Sequence, residues 1–86
     1  MKTGDESRLK ILKAIAAHRR AHEENPTVRQ IAEAVGLTHS PTHKHLVELV
    51  RDGRVAAPRR RGTGWTLTEY GAHVLRRESA GESPSP

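Results

Sequence analysis

Apolar residues recur along this chain at helical spacing, then give way to short runs bounded by glycine and proline, so the pattern predicts helices first and a hairpin after them. From Glu6 to Glu23 the positions Leu9, Leu12, Ile15 and Ala16, followed by Arg19 and flanked by Ile11, keep the 3.6-residue period of an amphipathic helix. Its start can be capped by Asp5, or by Thr3 with Glu6 three residues on. Asn25-Pro26 ends it, because a residue before proline is pushed out of the helical region.

A second, shorter helix is predicted over Val28 to Val35. Thr27 supplies an N-cap hydroxyl with Gln30 at the third helical position, and Val28, Ile31, Ala32 and Val35 share one face. Gly36 can take the left-handed conformation that closes the helix, and Leu37 turns back to the core. Ser40-Pro41 marks the next start, with Ser40 as cap and proline in the first helical position. This third helix should run from about Pro41 to Arg51, with Leu46, Leu49 and Val50 inward, Thr42 partly covered, and His43, Lys44 and Val47 outward.

Past Gly53 the period changes. Arg54 to Ala57 and Gly64 to Leu67 are short strand candidates flanking Pro58-Arg59-Arg60-Arg61-Gly62-Thr63, a hairpin loop. Thr68 can cap a last helix from Glu69 to about Arg77, with Tyr70, Val74 and Leu75 on its apolar edge. The expected organisation is a flexible start over 1–5, one domain over 6–77 and a disordered tail over 78–86. Trp65 is expected to plug the hairpin onto the third helix, because a lone tryptophan serves the core first. Tyr70 is expected at the core or at a dimer edge.

Composition narrows the partners. The 86 residues hold 15 Lys+Arg against 10 Asp+Glu, a formal charge of +5, which favours an anionic partner. There is no cysteine, so disulfides, thiol catalysis and cysteine-based zinc sites are excluded. No apolar run approaches the roughly 20 residues that span a bilayer, and MKTGDESRLK lacks the apolar centre of a signal peptide. A cytoplasmic, nucleoid-associated protein without membrane contact is the expectation.

The run Gly36 to Val55, GLTHSPTHKHLVELVRDGRV, resembles the winged helix-turn-helix of bacterial transcription regulators. There Gly36-Leu37 opens the turn, His45-Leu46 lies in the middle of the recognition helix, and Gly53 precedes the wing. Leu67 to Gly71, LTEYG, is similar to the LTxxG that follows the wing in MarR-like regulators, and Asn25 to Leu37, NPTVRQIAEAVGL, resembles LexA-type DNA-binding domains. The resemblance covers about Leu9 to Leu75. It implies a mostly α fold with a small β-hairpin wing, double-stranded DNA as partner, and regulation of transcription, read as repression.

In that arrangement the first residues of the recognition helix meet base edges while flanking groups hold phosphates. The candidate DNA-binding residues are therefore Thr27, Thr38, His39, Ser40, Thr42, His43, Lys44, Val47, Arg59, Arg60, Arg61 and Thr63. Lys44 can donate to guanine O6 or N7, and Val47 can meet a thymine methyl. Arg59, Arg60 and Arg61 suit a wing that follows the backbone or enters a narrow minor groove.

Other chemistry is less well served. His18 and His22 stand at i and i+4, but two neutral ligands without a carboxylate or cysteine set make a poor metal site, so no metal or other cofactor is expected. No pair of acids or nucleophile with base forms a catalytic motif in a chain too small to enclose a pocket, so no enzyme is expected. No effector pocket is evident. One module of this size covers only about 600 to 1,000 Å² of DNA, so a homodimer or tandem binding is expected. The alternatives are an architectural or recombination accessory protein indifferent to sequence, and a protein-interaction module.

Overall fold

The computed structural model describes residues 3–59 and 64–82, with side chains described over 6–59 and 64–78. Among the described residues the order is α1 (Thr3–His22), α2 (Val28–Val35), α3 (His39–Arg51), β1 (Val55–Ala56), β2 (Thr66–Leu67) and α4 (Glu69–Glu82). The mostly helical chain with one small antiparallel hairpin is the fold that the apolar pattern predicts.

Helix α1 begins earlier than expected, so Thr3 and Asp5 lie inside it rather than at a cap. It ends at His22 with Arg19, Arg20 and His22 in its last turn, where cations oppose the negative end of the helix dipole. Glu23 then adopts a positive φ of 57°. The face of α1 is centred on Ile11, Leu12 and Ile15, each at most 1% exposed, whereas Leu9 and Ala16 are only partly covered. Ile11, expected at the flank, is therefore a centre of the core.

Helix α2 has the capping box in full: Gln30 N–H donates to Thr27 Oγ1 at 3.2 Å, and Thr27 N–H donates to Gln30 Oε1 at 2.9 Å. Gly36 closes it at φ 77°, and Leu37 N–H reaches back to the Ala32 carbonyl at 3.0 Å. The end of α3 repeats the device. Gly53 sits at φ 76°, its N–H donating to the Val50 carbonyl at 3.0 Å and Arg54 N–H donating to the Leu49 carbonyl at 2.9 Å.

The start of α3 departs from the expectation. Thr38 is the N-cap, so His39 and Ser40 are already helical and Pro41 stands in the third position. Proline fits there because the first helical N–H groups have no partner within the helix in any case. Thr42, expected partly covered, is fully inward at 0% exposed, and Val50, expected inward, is 36% exposed.

Ile11, Leu12, Ile15, Ile31, Leu46, Leu49, Val55 and Trp65 form one core, with Val28, Val35, Leu67, Val74 and Leu75 against its edge. Burying each large aliphatic side chain contributes about 2 kcal/mol. Tyr70, at 51% exposed, is not part of it.

The strands are shorter than expected because backbone groups find other partners. Val55 pairs with Leu67 and Ala56 with Thr66, but Trp65 N–H donates to the Pro26 carbonyl at 2.9 Å, on the link between α1 and α2. Gly64 makes this approach possible: a Cβ there would collide with both the Asn25 and Pro26 carbonyl oxygens. At the other end of the hairpin, Thr68 N–H donates to the Arg54 carbonyl at 3.1 Å, and Thr68 Oγ1 accepts from Gly71 N–H at 2.9 Å as the cap of α4. A Cβ on Gly71 would collide with the Arg54 carbonyl oxygen. Leu67-Thr68-Glu69-Tyr70-Gly71 thus joins a packing residue, a cap and a glycine that lets α4 sit on the root of the wing.

Both expected boundaries are overrun by helix, since α1 already includes residues 3–5 and α4 continues through 78–82. The remainder of the expected tail, residues 83–86, lies outside the described residues.

Candidate nucleic-acid interface

Burial of Leu46 and Leu49 at 0% fixes the rotation of α3 and so decides which side chains it offers to the outside. His39, Ser40, His43, Lys44 and Val47 are exposed. Their positions, at intervals of three or four, form one stripe opposite the core. The His39 and His43 rings stack at 6.2 Å between centroids with 7° between planes, extending the stripe as a flat surface. Val47, 38% exposed, supplies an apolar patch at its far end.

Thr42 belongs elsewhere. Its hydroxyl donates to the Thr38 carbonyl at 2.8 Å within the packed side of the helix, so the expectation that it contacts DNA is corrected. Thr42 stands four residues before Leu46 and seven before Leu49, so helical spacing puts it on the same packed face.

Thr38 is exposed and its side chain makes no capping hydrogen bond, so the first amides of α3 are not capped by it. Such a helix start favours an anionic oxygen. Thr27 is exposed at the start of α2, but its hydroxyl is already engaged with Gln30, accepting from its N–H and donating to Oε1 at 3.3 Å. It positions α2 before it can hold anything else.

Trp65, 8% exposed, presents an edge-on contact to His43 at 5.9 Å and 82°. The expected plug between hairpin and α3 is therefore present. It touches a member of the exposed stripe, so the wing root and the stripe form one surface. Arg59 is exposed on the hairpin, while Arg60, Arg61 and Thr63 lie outside the described residues.

A contact that the sequence did not disclose braces α3 from behind. Arg8 Nη2 donates to Glu48 Oε1 at 2.6 Å, and His45 Nδ1 lies 3.8 Å from the same oxygen. The hydrogen bond from Arg8 holds the Glu48 carboxyl below its ordinary pKa, against the opposing effect of desolvation and with help from the charges of Arg8, His45 and Lys44. Arg8 and Glu48 are 40 residues apart, and no short-range pattern couples them.

His18 and His22 do adjoin, with ring centroids 4.5 Å apart. Among the described residues no group of three or more His, Cys, Asp or Glu could hold a metal ion, and no helix is long and apolar enough to cross a membrane.

Comparison with protein families matches residues 4–56 to winged helix-turn-helix DNA-binding domains, a span that takes in α1, α2, α3 and β1. The chain belongs to this family. DNA is accordingly the partner that the family implies. The match is to winged helix-turn-helix domains as a group and does not extend to a MarR-like or LexA-type subgroup. Gly64, Trp65 and Leu67 to Gly71, which dock the wing of this family member, fall outside the matched span. Comparison with curated proteins returns no match.

Proposed function

We propose that this winged helix-turn-helix domain is a sequence-specific regulator of transcription that acts as a repressor and has no enzymatic activity. Helix α3 enters the major groove, Lys44 reads a guanine edge, Val47 meets a thymine methyl, and Thr38, His39, Ser40 and His43 contact backbone and neighbouring bases. The wing, with Arg59, Arg60, Arg61 and Thr63, holds the phosphate backbone or an adjacent minor groove. Thr27 sets the start of α2 near a phosphate. Two copies bind as a dimer or in tandem, because one module covers too little DNA for tight binding. Its place is the cytoplasm, on the nucleoid, and it needs no cofactor.

The observation that carries this reading is the composition of the exposed side of α3. The centre of a docking face for another protein would be enriched in aromatic residues and methionine and depleted of lysine, whereas here Val47 is accompanied by His39, Ser40, His43 and Lys44. Selection of binding sites from random duplex DNA at physiological salt tests it. A distinct motif is expected, with an inverted or direct repeat reporting paired copies. Retention of DNA without any motif would replace this reading with an architectural role, and no retention would refute DNA binding by the isolated chain.

A further inference from the structure

A cleft of about 360 Å³ opens between the first half of α1, the root of the wing and α4, on a different set of residues from the α3 stripe. That is within the usual size of a small-ligand pocket, about 300 to 1,000 Å³. Its apolar wall includes Leu9 and Val74, and its charged lining is Arg8, Arg54, Glu6 and Glu78. Arg8 is engaged with Glu48, and Arg54 lies over the Tyr70 ring at 5.9 Å. No ion pair among the described residues uses Glu6, Glu78 or Arg54.

The guanidinium groups are incompletely satisfied. The Nε atoms of both Arg8 and Arg54 are closed off from water without a hydrogen-bond partner, although buried donors are almost always paired. Rotation of either guanidinium toward the cleft would give its N–H to an acceptor there. A simple anion would meet Glu6 and Glu78, and a simple cation would meet the two arginines. The lining matches a molecule that carries one charge of each sign beside an apolar group.

We propose that this cleft is an effector site for a small zwitterion with an apolar tail, of the amino-acid class. Its carboxylate accepts from Arg54 and Arg8, its ammonium donates to Glu78, and its tail lies against Leu9 and Val74. Occupancy reaches the DNA-reading surface through Arg8, which lines the cleft and also holds Glu48 on α3. The effector role, though not the binding itself, rests on the DNA reading above.

The test is an NMR titration of the whole chain with L-phenylalanine, and with 3-phenylpropanoate and 2-phenylethylamine as analogues that each keep one charge. Phenylalanine should give saturable ring-current shifts at Leu9 and Val74, and each analogue should bind at least about tenfold more weakly, as loss of one charge-assisted contact requires. Arg54→Gln should weaken phenylalanine about as much. Glu78→Gln, on an exposed part of α4 where folding is not at stake, should do the same. Absence of saturable shifts, analogues that bind as well as phenylalanine, or full binding by Glu78→Gln would overturn the site. At saturation the affinity for a selected DNA duplex should change at least about threefold, and Arg8→Gln should remove the change. Unchanged DNA affinity would overturn the effector role alone. Failure of the chain to bind any DNA would count against the DNA reading, and the titration would still decide the site.

Discussion

Three single positions separate what holds this domain together from what it presents. Lys44 is exposed on the stripe and lies on none of the packed faces, so Lys44→Ala should leave thermal unfolding unchanged and blur the selected motif at particular bases, costing about 1 to 3 kcal/mol where the contact is bidentate. Thr42 is its converse. Thr42→Val should lower stability by about 1 kcal/mol in urea unfolding while the folded protein keeps its DNA affinity, since the hydroxyl serves only the Thr38 carbonyl. At Gly71 even one methyl group is too much: its Cβ would overlap the Arg54 carbonyl, which is backbone and cannot swing aside. Gly71→Ala should cost more than about 2 kcal/mol, measured by the same unfolding, by forcing α4 off the wing root.

Among elements, α3 is held by α1 through packing and through the Arg8–Glu48 pair. The Glu48 pKa is lowered in the folded protein, so its contribution to stability is present above the ordinary carboxylate value of 4.5 and is lost as pH falls through the lowered value. Glu48→Gln should therefore lower stability modestly in the neutral region, where the pair contributes, and flatten the acid limb so that the two curves converge at low pH; an acid limb identical to the parent's would refute the pair's role. How much the sequence discloses differs from element to element. Helix α2 is legible throughout, because Thr27, Gln30 and Gly36 are local signals whose hydrogen bonds span at most five residues. The start of α3 is not, because Ser40-Pro41 is a strong local signal for a cap, while the actual cap is Thr38, whose side chain makes no capping hydrogen bond that would mark it. Strand length is overestimated for a similar reason: Trp65 N–H is taken by Pro26, a partner 39 positions away that no periodicity reveals. The stripe of candidate DNA contacts is largely legible, since helical spacing alone puts His43, Lys44 and Val47 opposite Leu46 and Leu49. Thr42 is the exception among the candidates, and its spacing of four from Leu46 and seven from Leu49 already places it on the buried face.

For the whole molecule, the excess of basic residues predicts how binding responds to salt. Replacing Arg59, Arg60 and Arg61 together by alanine should weaken binding to all duplexes alike and reduce the slope of log affinity against log salt by about 0.9 for every phosphate that the wing no longer neutralises. A filter-binding or anisotropy series over salt concentration measures this. A wing variant with the parent's slope would show that the arginines do not touch DNA. The motif itself should survive in that variant at low salt if base reading belongs to α3, as proposed.

The hairpin is fastened at its base on both sides, by Gly64 and Trp65 against the α1–α2 link and by Thr68 and Gly71 against Arg54. In the sequence, residues 57–63 stand between those fastenings. Changes of length or charge in that segment can therefore accumulate without passing through the core, and a domain so built can drift to new operators while its folding stays under separate selection.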